Sequence, residues 1–246
     1  VGDRVAYGGP IGGYSEVRLI EADRLVKLPN EIGDEQAAGM MLKGMTAHML
    51  LRRVYSVQPG DTILVHAAAG GVGLILCQWA AALGATVIGT VSTDEKAELA
   101  KAHGCTHPIV STRQDFVAEV KRITSREKLP VVYDSVGRDT LLASLDCLRP
   151  RGLMVSFGNG SGPVEPISPL LLWQKGALFL TRPTLYHYNA TRPEIEAAAG
   201  ELFKIVSDGT VRIDIGQRSP LAEAARAHRA LEARQTVGST VLTIGD

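Results

Sequence analysis

The feature that most constrains this chain is a glycine-rich turn between a β-branched run and an apolar helix. Residues 61–89 have the sequence DTILVHAAAGGVGLILCQWAAALGATVIG. A strand that passes through small residues into a helix directs several free backbone N–H groups toward one point, and the helix dipole adds partial positive charge there. Such a point suits a pyrophosphate. The segment therefore predicts a βαβ unit that binds a dinucleotide.

The turn is a variant of the dinucleotide fingerprint. Ala68 takes the first glycine position, and Gly70 and Gly73 take the second and third. Gly70 would let the backbone approach the phosphates, and Gly73 would let the helix pack closely on the strand. A tight turn built only for packing would use similar residues. The next strand, at 86–91, follows in the order that a nucleotide site requires, so we favour the nucleotide site.

Composition excludes several classes of protein. The 26 basic and 26 acidic residues balance, and no long basic cluster occurs, so nucleic acid is not implied as a partner. Residues 62–93 contain no Asp, Glu, Lys or Arg, but their glycines divide them into strand, turn, helix and strand, which predicts a buried α/β segment and no membrane helix. The three cysteines have no short spacing, as expected for reduced thiols of a cytoplasmic protein.

Near-continuous apolar strands alternate with helices through the middle of the chain. Strands are expected at 62–66, 86–91, 107–110, 130–134, 152–157 and 177–182, and helices at 72–83, 94–103, 114–124 and 138–148. This alternation predicts an α/β fold, a Rossmann doubly wound parallel sheet, which binds ligands at the carboxyl ends of its strands.

The two ends of the chain have a different pattern. Short strands are expected at 4–7, 13–20 and 25–27, and Asp34 is expected to cap the helix that follows. After Pro183, helices are expected at 194–207 and 221–234 and strands at 211–215 and 239–244. We expect residues 1–34 and 184–246 to belong to one β-rich domain and residues 35–183 to form the Rossmann domain. Because a lone first strand cannot satisfy its backbone, an earlier part of that β-rich domain is expected to precede residue 1.

Coenzyme choice should be determined at the end of the second strand of the sheet. An NAD site places Asp or Glu there for the ribose hydroxyls, whereas an NADP site offers hydroxyls and cations to a 2′-phosphate. Ser92 and Thr93 come first after the strand, and Lys96 lies in the first helical turn. We interpret Asp94 as the helix N-cap in preference to a ribose ligand. Ser92 and Lys96 together favour NADPH.

Two further strand ends should line the same crevice. The fourth strand ends in DSVG, which contains Val136, and the fifth in SFGNG, which contains Phe157, Gly158 and Asn159. Asp134 is expected to be a capping or structural carboxylate. The six histidines are scattered, and His66 is expected to be a satisfied buried histidine, so no catalytic group is assigned.

With these motifs in place, the chain resembles the zinc-independent quinone oxidoreductases of the medium-chain dehydrogenase/reductase superfamily, the group that includes ζ-crystallin. The resemblance covers essentially the whole chain. It is most specific in five segments, GDRV at 2–5, LKGMT at 42–46, HAAAGGVG at 66–73, VYDSVGRDT at 132–140 and RGLMVSFG at 151–158. It implies that the β-rich domain is an incomplete GroES-like substrate domain.

The resemblance also implies a metal-free site. The zinc enzymes of the superfamily carry a cysteine-rich lobe after the GDRV-like strand, but here a short glycine turn follows instead. Their cysteine ligand ahead of the coenzyme domain is matched by Leu42-Lys43-Gly44, which has no thiol. A tetrahedral zinc ion needs such ligands, so no metal residues are expected.

Fingerprint, strand ends and resemblance together define the expected NADPH site. Of its residues, Ser111 replaces a tyrosine that lies near the 2′-phosphate in the family. The expected coenzyme-binding residues are Lys43, Thr46, Gly70, Gly71, Val72, Gly73, Ser92, Lys96, Ser111, Val136, Phe157, Gly158, Asn159 and Arg234.

The resemblance implies an NADPH-dependent reductase that transfers hydride to a quinone or enone. Two alternatives stay open, an alkenal or enoyl reductase on the same scaffold and a crystallin-like protein that binds NADPH without turnover. The family further implies a homodimer built partly on the edge strand at 177–182.

Overall fold

The structure is a computed structural model, and it describes residues 1–233 and 235–245. The chain forms two compact units. The first comprises Val1–Met49, Gly70–Ile75 and Leu185–Asp246, and the second comprises Leu50–Ala69 and Leu76–Thr184. None of the described helices is long and apolar enough to cross a membrane.

The described residues form ten strands and nine α-helices. The strands are β1 Val5–Ala6, β2 Val26–Lys27, β3 Thr62–Val65, β4 Thr86–Val91, β5 His107–Val110, β6 Leu129–Asp134, β7 Leu148–Ser156, β8 Phe179–Thr181, β9 Ile215–Pro220 and β10 Ser239–Thr243. The helices are α1 Asp34–His48, α2 Gly71–Ala82, α3 Asp94–Ala102, α4 Phe116–Ile123, α5 Leu141–Ser144, α6 Pro169–Gln174, α7 Leu185–Tyr188, α8 Arg192–Ser207 and α9 Ala224–Glu232.

The second unit is built on a six-stranded parallel sheet with the order β5-β4-β3-β6-β7-β8. The strand order reverses between β3 and β6, which is the doubly wound order with its switch point beside the first strand. Leu64, Ile88 and Val132 on three adjacent strands are fully buried, as expected for a parallel sheet covered on both faces. The predicted fold class is confirmed.

Local capping fixes where the helices of this unit begin. The Thr93 side chain accepts a hydrogen bond from the Lys96 amide at the start of α3, and the Asp115 side chain accepts from Val117 and Ala118 at the start of α4. Each cap satisfies backbone donors that have no partner inside the helix. Each cap therefore fixes the first residue of its helix, Asp94 in α3 and Phe116 in α4.

The first unit packs α1 on α8 and on the parallel pair β9 and β10. A Cβ atom on Gly44 would lie 2.5 Å from Leu202 Cδ1, and one on Gly39 would lie 2.5 Å from Ile215 Cδ1. These glycines allow the close contact. The Ser239 hydroxyl, which donates to the Gly39 carbonyl at 2.8 Å, also ties β10 to α1.

Several predicted element bounds are wrong. No strand forms at 13–20, because Arg18 folds this segment into a loop by donating to the Tyr7 hydroxyl and to the Pro10 and Ile11 carbonyls. The expected strand at 211–215 begins only at Ile215, since the Val211 amide donates to the Ile205 carbonyl beyond the end of α8. Asp34 is the first residue of α1, and Gly33 is its N-cap.

The helix expected at 138–148 is also much shorter, because α5 spans only Leu141–Ser144. Thr140 does not continue the helix backwards, since its hydroxyl donates to Asp134 at 2.8 Å. A 3₁₀ turn follows, and Leu148 already belongs to β7.

Candidate functional site

The first half of the glycine-rich turn packs on β4 in the second unit. Ala67 has the left-handed backbone angle φ 54°, and the Ala68 amide donates to the Thr90 carbonyl at 3.0 Å. A Cβ atom on Gly89 would lie 2.6 Å from both the Ala68 Cβ and the Cys105 Sγ. Alanine can therefore take the first fingerprint position because Gly89 leaves room for its methyl group.

A buried polar cluster lies below this turn. His66 Nδ1 is 2.9 Å from Thr90 Oγ1, and His66 Nε2 is 2.8 Å from Ser144 Oγ. Burial lowers the pKa of His66, and the Asp134 carboxylate partly opposes this shift. The imidazole is therefore neutral at pH 7 and satisfied on both nitrogens. This confirms the prediction of a structural histidine.

The end of β4 carries an ion pair that the sequence interpretation did not assign. Arg113 Nη1 and Nη2 donate to the two Asp94 carboxylate oxygens at 2.5 and 2.6 Å. The hydrogen bond from Arg113 is the main cause that lowers the pKa of Asp94. The prediction that Asp94 caps α3 is wrong, because Thr93 holds that position and Asp94 points to Arg113 instead.

Hydroxyl groups gather at this corner of the sheet. The Ser111 hydroxyl donates to the Val91 carbonyl and the Thr112 hydroxyl to the Ser92 carbonyl, both at 3.1 Å. These bonds hold the ends of β4 and β5 together, so Ser92 and Ser111 are neighbours. Lys96 lies half-buried in the first turn of α3.

The loop after β6 is organised by one buried carboxylate. Asp134 Oδ1 accepts from the Val136 and Gly137 amides at 2.7 and 3.0 Å, and Oδ2 accepts from the Thr140 hydroxyl at 2.8 Å. Asp134 is fully buried. The prediction of a structural carboxylate is confirmed.

The loop after β7 packs against the loop after β6. A Cβ atom on Gly158 would lie 2.3 Å from the Ser135 carbonyl oxygen, so only glycine fits without movement of the backbone. Arg182, at the end of β8, donates to the Ser156 and Gly158 carbonyls at 3.1 and 2.9 Å. The structure thereby brings Val136 and Gly158 into adjacent loops. Phe157 is half-buried and Asn159 is exposed there.

In the first unit, Lys43 on α1 lies against the second half of the turn. A Cβ atom on Gly71 would lie 2.8 Å from Lys43 Cδ and Cε and 3.0 Å from the Gly238 carbonyl oxygen. Gly70 also forms a β-bridge with Gly238. Burial lowers the pKa of Lys43, and among the described residues its ammonium has no hydrogen bond or ion pair.

The remaining predicted residues occupy simpler positions. Thr46, one turn after Lys43, donates its hydroxyl proton to the Leu42 carbonyl at 2.7 Å. Val72 is half-buried and Gly73 is buried in the first turn of α2. Arg234 lies outside the described residues.

Sequence reasoning missed Gly89, Thr90 and Arg113. Gly89 and Thr90 stand within a strand and carried no motif, although a glycine inside a buried strand is itself a sign of close approach. Arg113 is nineteen residues from Asp94, so only the pairing of β4 with β5 brings the two together. Among residues 1–233 and 235–245, no group of three or more His, Cys, Asp or Glu side chains is placed to hold a metal ion.

The sheet order and the glycine-rich turn define a Rossmann-fold protein of the dinucleotide-binding type. A family model described as zinc-binding dehydrogenase matches residues 71–202, which is more than half of the chain. A quinone oxidoreductase of Pseudomonas aeruginosa is 55% identical over 98% of this chain and 75% of its own length. The chain belongs to the quinone oxidoreductase family of the medium-chain dehydrogenases/reductases.

Two further relatives bear on its chemistry. A 2-haloacrylate reductase of a Burkholderia species is 49% identical over 98% of this chain and 74% of its own length. The crystal structure of an Escherichia coli quinone oxidoreductase complexed with NADPH superposes with a TM-score of 0.97. The two sequences are 50% identical. The matched region covers 99% of this chain and 76% of the Escherichia coli chain.

Proposed function

We propose that this chain acts as an NADPH-dependent quinone reductase, which transfers hydride to a quinone or a similar electron-poor acceptor without zinc. Family membership and the NADPH complex of the Escherichia coli relative support this function. The observation that carries the proposal is the chemistry at the end of β4. Hydroxyl groups and a lysine surround this strand end, and its carboxylate is already paired with an arginine.

The end of β4 fits a 2′-phosphate better than free ribose hydroxyls. Both oxygens of Asp94 accept bonds from Arg113, which compensates the carboxylate charge and makes Asp94 a weaker acceptor for ribose hydroxyls than an unpaired carboxylate. Ser92 and Lys96 offer donors of the kind that bind phosphate. The Ser111 hydroxyl, which donates its one proton to the Val91 carbonyl in this structure, would have to turn toward the phosphate to join them. We therefore propose that they hold the 2′-phosphate of NADPH.

The glycine turn fits a pyrophosphate. A Cβ atom would fill the space beside Gly71, and the half-buried Lys43 ammonium has no anionic partner among the described residues. A phosphate that approached the backbone at Gly70 and Gly71 would meet the amino end of α2 and could supply that anion. Thr46, Val72 and Gly73 complete the proposed binding segment. Val136, Phe157, Gly158 and Asn159 are proposed to line the nicotinamide side.

Bound NADPH would supply the hydride. The residues of the chain are proposed to bind and orient the coenzyme and to exclude water from the acceptor. A quinone is already polarised, so correct positioning could supply much of the acceleration. By resemblance, the Leu42-Lys43-Gly44 region, which has no thiol, matches a cysteine ligand of the zinc enzymes, and we propose that no zinc takes part. A tightly bound zinc ion that is lost together with activity, measured by elemental analysis, would contradict this.

The decisive experiment uses the full-length protein with NADPH and a small quinone such as 1,4-benzoquinone. We expect quinone-dependent oxidation of NADPH, followed at 340 nm, and saturable NADPH binding by titration calorimetry. Binding without turnover would instead favour the crystallin-like alternative. Absence of both would overturn the proposed function.

Lys96→Ala tests the coenzyme preference. A charge-assisted hydrogen bond contributes roughly 1.5–3 kcal/mol before solvent screening, so the variant should bind NADPH about tenfold more weakly and NADH nearly as before. Lys101→Ala is the matched control, because Lys101 is an exposed lysine in the last turn of the same helix. If Lys96→Ala keeps the parent ratio of NADPH to NADH affinity, Lys96 does not bind the 2′-phosphate.

A second candidate function is the reduction of an activated alkene. The 2-haloacrylate reductase among the relatives favours it. Parallel rate measurements with 1,4-benzoquinone, 2-chloroacrylate and an alkenal separate the possibilities. A kcat/KM at least about tenfold higher for an alkene than for the quinone would make the protein an alkene reductase, since tenfold corresponds to about 1.4 kcal/mol of transition-state binding.

The domain assignment also remains our proposal. Residues 1–34 and 184–246 are proposed to form the GroES-like substrate domain and residues 35–183 the NADPH-binding domain. Cytoplasmic location and a homodimer are proposed as well.

A further inference from the structure

We propose that Arg113 binds the 2′-phosphate of NADPH and that Asp94 positions it for this task. Arg113 would then be a specificity-determining residue of the coenzyme site. This inference rests on the proposed function, because it requires that the end of β4 accommodates NADPH.

Two hydrogen bonds to one carboxylate fix the orientation of the Arg113 guanidinium. Its two terminal nitrogens meet the two oxygens of one carboxylate at 2.5 and 2.6 Å. An arginine has five N–H donors in a rigid fork, and this end-on pair uses two of them. Among the described residues the side chain makes no other hydrogen bond. Three donors therefore stay available to an anion.

The location of the pair is the corner where the 2′-phosphate is proposed to lie. Asp94 follows Ser92 by two residues, and Arg113 follows Ser111 by two residues. The Thr112 hydroxyl binds the Ser92 carbonyl, so the residue before Arg113 is tied directly to the end of β4. Arg113 therefore lies at the same corner of the sheet as the hydroxyl groups of Ser92 and Ser111.

The charges of the Arg113–Asp94 pair are better explained by ligand binding than by folding stability. The Arg113 and Asp94 side chains are 58% and 66% exposed, and exposed pairs of this kind contribute little to folding. An unpaired carboxylate at this place would repel a dianionic phosphate. Arg113 cancels that charge and presents its remaining donors to the ligand. The pair thus replaces the negative charge of a lone carboxylate with a neutral pair that still presents arginine N–H donors.

Arg113 also accounts for a departure from the family pattern. Ser111 stands where the resemblance implies a tyrosine near the 2′-phosphate, and serine cannot provide the same contact surface. An arginine two residues further along can replace this contact with a charged one. The coenzyme preference would then be retained through a different side chain.

The test compares Arg113→Ala with Arg122→Ala in the full-length protein. Arg122 is a matched control, because it is an exposed arginine that is ion-paired with Glu119 on α4. Dissociation constants are measured by calorimetry for NADPH, NADH and the fragments 2′,5′-ADP and 5′-AMP. We expect Arg113→Ala to weaken NADPH and 2′,5′-ADP by about tenfold or more, and NADH and 5′-AMP by less than about twofold.

A double variant separates phosphate binding from simple charge masking. If Arg113 donates to the phosphate, Asp94→Asn/Arg113→Ala should still bind NADPH at least about threefold more weakly than Asp94→Asn alone. Equal affinity of these two variants would show that Arg113 only masks Asp94, and it would overturn the inference. An unchanged ratio of NADPH to NADH affinity in Arg113→Ala, or an equal effect of Arg122→Ala, would overturn it too.

Measurements on the parent protein distinguish a failure of this inference from a failure of the proposed function. If the parent binds NADPH and oxidises it with the quinone while Arg113→Ala keeps the parent affinities, only this inference fails. If the parent does not bind NADPH, the proposed function fails first.

Discussion

At the scale of single residues, the hydrogen bonds around His66 define its tautomer. The Ser144 hydroxyl lies 2.8 Å from the Thr140 carbonyl, to which it donates its only proton. Ser144 must then accept from His66 Nε2–H, and His66 Nδ1 accepts from the Thr90 hydroxyl. In the neutral imidazole each of these donors has an acceptor. Protonation would put a hydrogen on Nδ1, and the Thr90 hydroxyl would then lose the acceptor that it has in this arrangement.

His66 should therefore make folding stability depend on pH. Burial lowers its pKa below the ordinary value of 6.5, so below pH 6.5 the unfolded chain binds a proton that the folded chain does not. We expect the free energy of unfolding to fall as the pH falls from 6.5 toward the lowered pKa, by about 1.4 kcal/mol for each unit of pKa difference.

The variant His66→Gln checks this, because glutamine can donate and accept but does not titrate. Urea unfolding of both proteins between pH 7.5 and 5 should show a steeper loss of stability in the parent. His107→Gln is the control, since His107 is a half-buried histidine at the start of β5. Equal pH slopes in the parent and in His66→Gln would contradict the prediction.

Single residues were predictable where a local pattern decides their role. Asp134 precedes a Ser-Val-Gly turn, a pattern that predicts a capping carboxylate. The structure shows this cap, because Asp134 accepts hydrogen bonds from the Val136 and Gly137 amides. Asp94 also stands at a helix start, but a distant arginine competes for it. Thr93 can cap α3 equally well, so the local signal did not determine which of the two residues forms the cap.

At the scale of secondary-structure elements, the sheet was predictable and the loops were not. The central strands β3, β4 and β6 are apolar runs that are buried along almost their whole length, and each of the six strands falls where the sequence predicts one. Residues 13–20 have similar β-type composition, but Arg18 binds backbone carbonyls within the same loop. Hydrogen bonds between a side chain and backbone carbonyls of this kind cannot be recognised from the periodicity of apolar residues in the sequence.

The fit between β4 and the glycine turn gives a test at this scale. In Gly89→Ala, the new methyl group would lie 2.6 Å from the Ala68 Cβ and the Cys105 Sγ, which are both buried. Overpacking of this kind costs about 1–3 kcal/mol, and we expect that loss in chemical unfolding. Adding Ala68→Gly and Cys105→Ala should restore part of it.

Gly200→Ala is the control for this substitution. Gly200 lies in α8 with no atom within 4 Å of a new Cβ, so alanine should stabilise the helix by about 0.5–1 kcal/mol. A Gly89→Ala variant as stable as the parent would show that the turn can move away from β4.

At the scale of the whole molecule, the six-stranded sheet ends at β8. Within the described residues this strand pairs only with β7, and Phe179 and Leu180 on it are 60% and 38% exposed. An apolar edge strand with free backbone groups is a surface for pairing with another chain. This exposure supports the homodimer that the family resemblance implies, built partly on residues 177–182.

Leu180→Lys tests that assembly. We expect the parent to have twice the mass of one chain in light scattering at micromolar concentration, and the variant to be monomeric with an unchanged circular dichroism spectrum, because a lysine on an edge strand opposes pairing. Leu142→Lys is the matched control, since Leu142 is 54% exposed and belongs to α5 and not to the edge strand, so this variant should leave the dimer intact. A parent protein that stays monomeric at micromolar concentration would contradict the homodimer. A Leu180→Lys variant that stays dimeric would instead place the interface elsewhere, because a cationic side chain introduced at the edge could not be accommodated between two paired copies of β8.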